Sequence, residues 1–308
     1  MYAPVILFVY NRKNNFLRTY EALKKCTGAD HSDLFIFSDG PKDEKTKPIV
    51  DDLRKELKQI SLDSPFHKTT IIESDVNKGL ASSIIDGVTK VITEYGRAIV
   101  LEDDCLPSEF FLNYMNVALD YFADNKTIGS ISGCAEVIDI PKDYTADIYL
   151  TRRSCSWGWG TWSDRWAKVD WSLSKGSKIF KSPKLIHQFN EAGTDRFLRL
   201  YRQLKKDTQS WSIRFGAQHI LDEWFVVYPR YSYIYNIGDD GLGVHTKQNE
   251  IGPQYDLSLA IKDPKMQNIE YDSRIQRLLK KRASAGVLSE IKRMLATIVI
   301  VIKSNLIR

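Results

Sequence analysis

Four short apolar runs, separated by segments of helical periodicity, dominate the first hundred residues. The runs are PVILFVY, DLFIFSDG, TTIIE and AIVL, which begin at residues 4, 33, 69 and 98. Between them, apolar residues recur at helical spacing, as at Phe16, Leu17, Tyr20 and Leu23. Strands that are apolar along their whole length are buried on both faces, which is typical of a parallel sheet covered by helices. The alternation therefore predicts an α/β fold.

Cysteine usage and the N-terminus limit the class of protein further. The four cysteines, Cys26, Cys105, Cys134 and Cys155, are scattered without a Cys-x-x-Cys spacing. This pattern argues against a disulfide scaffold and a zinc site, and favours a reducing compartment. The first apolar run has no basic region before it and no small-residue cleavage site after it, so we expect a strand rather than a signal peptide. No apolar segment approaches the roughly 20 residues that span a bilayer.

Polar residues follow each of the four predicted strands. Asn11 and Arg12 follow the first, Asp39 the second and Lys78 the third, while the fourth runs into residues 102–104, Glu-Asp-Asp. Ligands of such sheets bind outside the carboxyl ends of the strands, so we expect these groups to share one crevice. Three adjacent carboxylates repel one another, and at the end of a buried strand they need a positive partner.

A nucleotide diphosphate fits this set of side chains. Arg12 and Lys78 are suited to phosphates, Asp39 to hydrogen bonds from a base, and the carboxylates to a divalent cation that neutralises them. The alternative is that each acid only caps the next helix. There is no Gly-x-x-x-x-Gly-Lys-Ser/Thr loop and no Gly-x-Gly-x-x-Gly after the first strand, which disfavours a nucleoside triphosphatase and a Rossmann dehydrogenase.

The ordered series PVILFVYNR, FIFSDG, IVLEDDCLPSEFF and SWGWGTW resembles the GT-A glycosyltransferases. The resemblance is greatest to the inverting N-acetylglucosaminyltransferase I type, which carries a Glu-Asp-Asp form of the Asp-x-Asp motif. Bacterial polysaccharide glycosyltransferases with a Trp-Gly-Trp segment are similar too. The resemblance covers about residues 3 to 250.

The resemblance implies a fold, a reaction and a set of donor contacts. The fold is a GT-A (Rossmann-like) mixed sheet with helices on both faces, with a nucleotide-binding half at 1–125 and an acceptor-binding half at 126–250. The reaction is an inverting transfer of a hexosyl or N-acetylhexosaminyl group from a UDP-sugar to a saccharide or lipid-linked acceptor. By resemblance, Asp39 contacts the base and Arg12 the nucleotide. Glu102 and Asp103 contact the ribose or donor sugar, and Asp104 holds Mn²⁺ or Mg²⁺.

A tryptophan-rich segment at residues 152–171 is expected to bind the acceptor. Sugars stack their C–H faces on aromatic rings, and glycine lets the backbone approach a ligand closely. Trp157 and Trp159, within SWGWG, are therefore the predicted acceptor-binding residues. We expect Trp162, Trp166 and Trp171 to be core residues, because clustered tryptophans usually pack together.

The general base of an inverting transfer removes the proton of the acceptor hydroxyl. In the N-acetylglucosaminyltransferase I pattern this base is an Asp directly after a Trp at a helix start, but Ser212 follows Trp211 here. Asp207, shortly before the same predicted helix, is the expected base, with Asp164 as the second candidate. The alternative for Asp207 is a helix cap.

A glycine-rich segment, NIGDDGLGVHT, begins at residue 236. It resembles the mobile loop that closes over the donor in GT-A enzymes, and its glycines permit such movement. His245 in this segment is a candidate ligand of the metal or contact of the diphosphate, although a lone histidine is more often a surface residue.

Positive charge is concentrated at the C-terminus. Residues 274–308 contain nine Lys or Arg against one acid, Glu290, a net charge of +8 that leaves −3 for the rest of the chain. This distribution argues against a nucleic-acid enzyme. Apolar residues at helical spacing from Leu288 to Ile302 make 251–308 a basic amphipathic helical tail. It is expected either to lie on the inner face of a membrane, making the protein cytoplasmic and peripheral, or to pack on its own domain.

Two other functions remain open at this stage. A sugar nucleotidyltransferase uses a similar sheet but is expected to carry a glycine-rich triphosphate loop after the first strand, and YNRKNNF contains no glycine. A non-catalytic saccharide-binding module is the other alternative, because Ser212 stands where a catalytic aspartate is expected.

Overall fold

Strands and helices alternate along most of the chain. The computed structural model describes residues 2–238, 255–283 and 286–306, and within these ranges the strands form one eight-stranded sheet and one two-stranded ribbon. The strands are β1 (Val5–Val9), β2 (Asp33–Ser38), β3 (Lys68–Glu73), β4 (Arg97–Glu102), β5 (Cys105–Pro107), β6 (Ile128–Ser132), β7 (Ile148–Thr151), β8 (Trp159–Trp162), β9 (Phe225–Pro229) and β10 (Ile234–Asn236).

Helices connect the strands and cover them. They are α1 (Lys13–Lys24), α2 (Lys47–Leu62), α3 (Leu80–Tyr95), α4 (Phe111–Tyr121), α5 (Ser163–Trp166), α6 (Ser177–Lys181), α7 (Pro183–Asn190), α8 (Asp195–Leu204), α9 (Trp211–Leu221), α10 (Ser273–Arg282) and α11 (Val287–Leu306), with short 3-10 turns at Ala29–His31 and Leu257–Leu259. Among the described residues, no helix combines the length and the apolar character needed to cross a membrane.

The large sheet is mixed, as expected. Its strand order is β3-β2-β1-β4-β8-β6-β9-β7, and β3, β2, β1 and β4 are parallel neighbours. Strand β8 is antiparallel to both β4 and β6, and β7 is antiparallel to β9. The prediction of a parallel first half with helices on both faces is confirmed.

Successive residues of the central strands supply two separate hydrophobic cores. Val5 and Leu7 of β1 belong to a core with residues of α1, α2 and α4. Ile6 and Phe8 belong to a core on the opposite face with residues of α3 and α9. Side chains alternate between the faces of a strand, so an unbroken apolar run provides both layers at once.

The second half of the chain is built into the same sheet. Strand β8 lies between β4 and β6, where Trp159 pairs with Val100 and Trp162 with Arg97. The ribbon pairs β10 with β5, which directly follows the Glu-Asp-Asp segment. The two predicted halves therefore meet at the end of β4.

Residues after 255 return to the body of the protein. Ala260 joins the first core, and Ile275 and Leu279 of α10 pack with Tyr149 and Tyr228. Helix α11 contacts α6 and α8. The predicted domain boundary at residue 250 lies outside the described residues.

Candidate functional site

The carboxyl ends of β1, β2 and β4 lie side by side, as the sequence predicts. Val9 pairs with Ser38, and Phe8 pairs with Glu102, so Arg12, Asp39 and Glu102 leave neighbouring strands at the same edge. Each of the helices α1, α2, α3 and α4 begins without a side-chain hydrogen bond to its first turn. The polar residues at these strand ends are therefore not there as helix caps, which was the simpler alternative.

Arg12 is the positive partner of the acidic cluster, by which we mean Glu102, Asp103 and Asp104. Its guanidinium is hydrogen-bonded to Asp103, and Nη2 lies 3.0 Å from Asp104 Oδ2. Burial acts to lower the pKa of Arg12, but the two aspartates raise it above its usual value. Arg12 thus relieves the repulsion within the cluster, although this residue was predicted to contact the nucleotide.

Burial dominates the electrostatics of the cluster. It raises the pKa of Glu102, and Asp104 and Asp103 raise it further. The pKa of Asp103 is also raised by burial, and the ion pair with Arg12 offsets only part of this effect. Nη1 of Arg12, unlike Nη2, is buried without a hydrogen-bond partner. A buried donor without an acceptor is costly, so this edge of the sheet is suited to an anionic ligand.

Asp39 holds the loop at 74–79 in place. Its Oδ1 accepts from the backbone N–H groups of Gly40 and Lys78, both at 2.9 Å, and its Oδ2 accepts from Gly79 at 2.9 Å. Gly40 packs so closely on this loop that a Cβ would collide with the Val76 backbone. The carboxylate is therefore largely occupied by backbone N–H groups of the protein, whereas the family resemblance implies that it contacts a base.

Arg54 of α2 is a residue that sequence reasoning missed. It donates to the carbonyl oxygens of Ser38, Asp39 and Ser74 at 3.2, 3.2 and 2.7 Å. It thereby joins the ends of β2 and β3. No motif marks this arginine, whose only sequence signal is its place beside the core residue Leu53.

The positions of Lys78 and Asn11 do not by themselves define a role for either residue. The Lys78 ammonium lies 3.0 Å from Asp86 in an exposed ion pair, rather than on the acidic cluster. Exposed pairs are weak, so this side chain is free to move toward a ligand. Asn11 is half-buried and directly precedes Arg12.

Asp104 faces the start of the glycine-rich segment. Its carbonyl oxygen accepts from the Ile237 N–H at 2.8 Å, and a Cβ at Gly238 would meet both the Asp104 carboxylate and the Asn236 side-chain oxygen. Asn236 was not predicted as a site residue, although the motif that begins with it was singled out. His245, the second predicted metal ligand, lies outside the described residues.

Hard oxygen ligands of the kind that Mn²⁺ and Mg²⁺ prefer are present at Asp104 and Asn236. The described residues contain no group of three His, Cys, Asp or Glu side chains arranged to hold a metal ion. Mg²⁺ is usually bound by one or two carboxylates together with substrate phosphates and water. The donor set therefore fits an ion that arrives with a diphosphate rather than one held by the protein alone.

The prediction that Trp159 binds the acceptor is wrong, because its side chain is buried. The side chain is 1% exposed and stacks on Trp166 and Trp211, with ring centroids 5.7 and 4.9 Å apart. Its strand is central, so its side chain enters the second core. Trp162 and Trp166 are core residues, as predicted.

Trp157 precedes the strand and remains partly exposed. Its ring meets Tyr255 edge to face, with centroids 6.4 Å apart, and its N–H donates to Cys155 Sγ at 3.4 Å. Trp157 lies outside β8, and Gly158, between the two tryptophans, has a φ of +60° that breaks the extended backbone, so two tryptophans that look equivalent in the sequence have different surroundings.

The two predicted bases lie in different places. Asp164 follows β8, which is antiparallel to β4, so Asp164 lies at the opposite edge of the sheet and pairs there with Lys126 and Arg165. This position removes it as a base for the acidic cluster. Asp207 is exposed in the connection between α8 and α9, and its role stays a prediction.

Glu136 is a carboxylate that no sequence motif marks. It follows β6, whose Ser132 pairs with Trp159, and the Gly133 N–H donates to the Gly158 carbonyl. Glu136 therefore lies beyond the same edge of the sheet as the acidic cluster, on the side of Trp157.

Comparisons with known proteins give structural likenesses only. No family model matches the chain, and no curated protein matches it. Crystal structures of S. aureus TarS are similar over 77% of this chain at 12% identity, with TM-scores of 0.42 for a structure of which 36% is covered and 0.43 for a 1-349 form of which 60% is covered. An active-site mutant of LgtC is similar over 73% of this chain and 72% of its own, at 9% identity and a TM-score of 0.39. The chain thus spans about a third of the longer TarS structure.

Proposed function

We propose that this protein is a glycosyltransferase that moves a sugar from a nucleotide diphosphate, UDP in the first instance, to a saccharide or lipid-linked acceptor. The observation that carries the proposal is the pairing of Arg12 with Asp103 and Asp104 at the end of β4, beside the loop that Asp39 fixes. This arrangement combines an anchored cation with carboxylates at the ligand-binding edge of the sheet. UDP as the nucleotide follows from the family resemblance.

Arg12 is suited to the diphosphate of the donor. Its Nη1 has no hydrogen-bond partner, while its other bonds fix the plane of the guanidinium. A phosphate oxygen that reached this buried nitrogen would supply the acceptor that it lacks, with the plane of the guanidinium already fixed. Lys78, at the neighbouring strand end, can add a second cation by leaving its exposed pair with Asp86.

Asp104 and Asn236 are the residues that would hold a divalent cation, with phosphate oxygens and water completing its coordination. When bound, the cation offsets the negative charge that develops on the departing diphosphate. The Arg12 guanidinium stabilises the same negative charge. Because Asp103 and Asp104 hold it in place, it does not have to reorient as the bond breaks.

Glu136 is our proposed general base, in place of Asp164. The acceptor hydroxyl oxygen attacks the anomeric carbon while its proton passes to the Glu136 carboxylate. The bond between that carbon and the diphosphate oxygen breaks, and the electron pair leaves with the diphosphate. A single displacement of this kind inverts the anomeric configuration. Trp157, on the same side as Glu136, offers a partly exposed ring for the acceptor sugar.

A donor screen tests the reaction class. The protein is incubated with Mn²⁺, an oligosaccharide mixture and a panel of nucleotide sugars, and the released nucleotide is identified. Release of UDP supports transfer. In a parallel incubation with UTP and a sugar phosphate, release of pyrophosphate identifies a nucleotidyltransferase instead. Saccharide binding without turnover in either incubation identifies a binding module.

Asp104→Asn tests the role of the acidic cluster. We expect UDP release to fall by about two orders of magnitude or more, because a neutral amide is a poor ligand for a divalent cation. Asp75→Asn is the matched control, since Asp75 is an exposed aspartate in the nearby loop at 74–79. Full activity in Asp104→Asn with an unchanged Mn²⁺ dependence contradicts the proposed metal role.

Glu136→Gln tests the base against the remaining alternative. We expect a loss of roughly 10²- to 10⁴-fold in kcat, with little change in donor affinity. Asp207→Asn should stay within a few-fold of the unmodified protein. The opposite result would return the role of base to Asp207.

A further inference from the structure

Helix α11 packs on the body of the protein through its more polar side. Glu290 and Arg293 form an ion pair at 2.9 Å, and both reach Thr194 Oγ1, at 2.6 and 3.2 Å. Further along the helix, Ile300 is buried among apolar residues of α6 to α9. These contacts fix which side of α11 faces inward.

The apolar stripe predicted from the sequence lies on the other side. Seven large apolar residues of α11 are 47 to 73% exposed: Leu288, Ile291, Met294, Leu295, Ile298, Val299 and Ile302. At roughly 100° per residue they form one continuous face, nearly opposite Glu290, Arg293 and Ile300. We refer to these seven residues as the α11 outer face. The expectation that the stripe packs on its own domain is therefore wrong for these residues.

Positive charge accompanies the α11 outer face. Lys292 is exposed on α11, and Lys280, Lys281 and Arg282 are exposed at the end of α10, a few residues before α11 begins. The one acid of this helix, Glu290, is turned toward the body and neutralised by Arg293. The exposed charges of α10 and α11 are thus cationic.

We propose that the α11 outer face docks on the surface of an anionic lipid bilayer, with α11 lying in the plane of the membrane. A helix of 20 residues is roughly 30 Å long, so a flat orientation brings all seven apolar side chains to the interface at once. The body lies on the opposite side of α11 and does not obstruct this contact. A second copy of the chain is a poorer occupant, because its own lysines and arginines would face these, whereas anionic headgroups complement them.

Vesicle cosedimentation with the full chain tests the proposal. Vesicles of phosphatidylcholine with about 30 mol% phosphatidylglycerol are compared with vesicles of phosphatidylcholine alone, so that the two differ in negative surface charge. We expect binding to the anionic vesicles and at least tenfold weaker binding to the neutral ones. Because each cation near an anionic surface contributes about fivefold in partitioning, Lys280→Gln, Lys281→Gln and Arg282→Gln together should weaken binding on the order of a hundredfold.

The apolar part of the contact is tested by Leu295→Glu with Ile298→Glu. Both side chains are exposed, so the variant should fold, and we expect it to lose vesicle binding by at least tenfold. Ile49→Glu with Leu62→Glu is the matched control, because these are exposed apolar residues of α2. Equal loss in the control, or no loss in the α11 variant, overturns the proposal. So does a dimer in sedimentation equilibrium that the α11 substitutions dissociate while vesicle binding is absent.

Discussion

Arg12 is the residue on which the acidic cluster depends. It pairs with two of the three carboxylates, and one of these, Asp103, is only 3% exposed. A buried charge that loses its partner is destabilising by several kcal/mol. The same guanidinium is the group that we assign to the diphosphate, so its stabilising and binding roles are linked.

Replacing Arg12 by alanine should lower the free energy of unfolding on the order of 3 kcal/mol, because Asp103 is left buried without a cation. Adding Asp103→Asn to the same variant should restore part of the loss, since the amide carries no charge. Urea unfolding of both variants provides the measurement. Arg18→Ala, at an exposed position of α1, is the control and should change the stability little. An equal loss with and without Asp103→Asn would show that charge is not the cause.

The shared location of several site residues could be predicted from the sequence. The convergence of Arg12, Asp39 and Glu102 at one edge follows from the parallel topology, which the apolar runs already indicate. The hydrogen-bond and ion-pair partners of these residues could not be predicted from the sequence. Asp39 accepts from backbone N–H groups, and the cation beside the carboxylates is Arg12. Such short-range choices depend on loop geometry that spacing along the chain does not encode.

The elements of the first half follow from local pattern, because each strand is short, apolar and bounded by polar residues. The position of strand β8 could not be predicted in this way, because β8 lies between β4 and β6, which are both distant from it in sequence. Trp159 was therefore assigned to a loop that binds sugar, although it lies in the centre of the sheet. The same insertion sends Asp164 to the opposite edge.

Helix α9 is attached to the sheet by a buried histidine. His219 Nδ1 lies 2.9 Å from the Phe215 carbonyl, to which it donates, and Nε2 lies 2.9 Å from Ser130 Oγ on β6 and accepts from it. This arrangement suits the neutral ring with its proton on Nδ1. Burial lowers the pKa of His219 from 6.5 to about 4. Protonation of the folded state is thus strongly disfavoured.

Stability should consequently fall as the pH is lowered from about 6.5 to about 4. In this window the unfolded chain takes up a proton at His219 and the folded chain does not, which favours unfolding by up to about 3 kcal/mol. His219→Gln removes this proton. The difference in unfolding free energy between the two proteins, measured from pH 7 to 4, should shift in favour of the variant as the pH falls. Parallel curves would contradict the assignment.

At the scale of the whole molecule, the two predicted halves share one sheet and both of the hydrophobic cores that cover its faces. Strand β4 has β1 on one side and β8 on the other, and the first core includes residues from Val5 to Ala260. The predicted division at residue 125 therefore does not separate the hydrophobic cores.

A fragment of residues 1–125 should therefore not unfold cooperatively on its own, because β4 and α4 would expose the surfaces that β8 covers. Coexpression with residues 126–308 should restore a soluble complex with a cooperative transition. Thermal denaturation followed by circular dichroism distinguishes the two cases. A cooperative transition of the first fragment alone would mean that the sheet divides at β4.

The stacked indoles of Trp159, Trp166 and Trp211 have one more consequence. Rings at 4.9 and 5.7 Å are close enough for their electronic transitions to couple, which gives a near-ultraviolet dichroic band that neither ring produces in isolation. Since the three come from β8, α5 and α9, that band is a label-free optical signal for the packing of these two helices against β8. Trp157, beside the proposed acceptor, lies outside this set, so its emission can report on sugar while the dichroic band reports on folding.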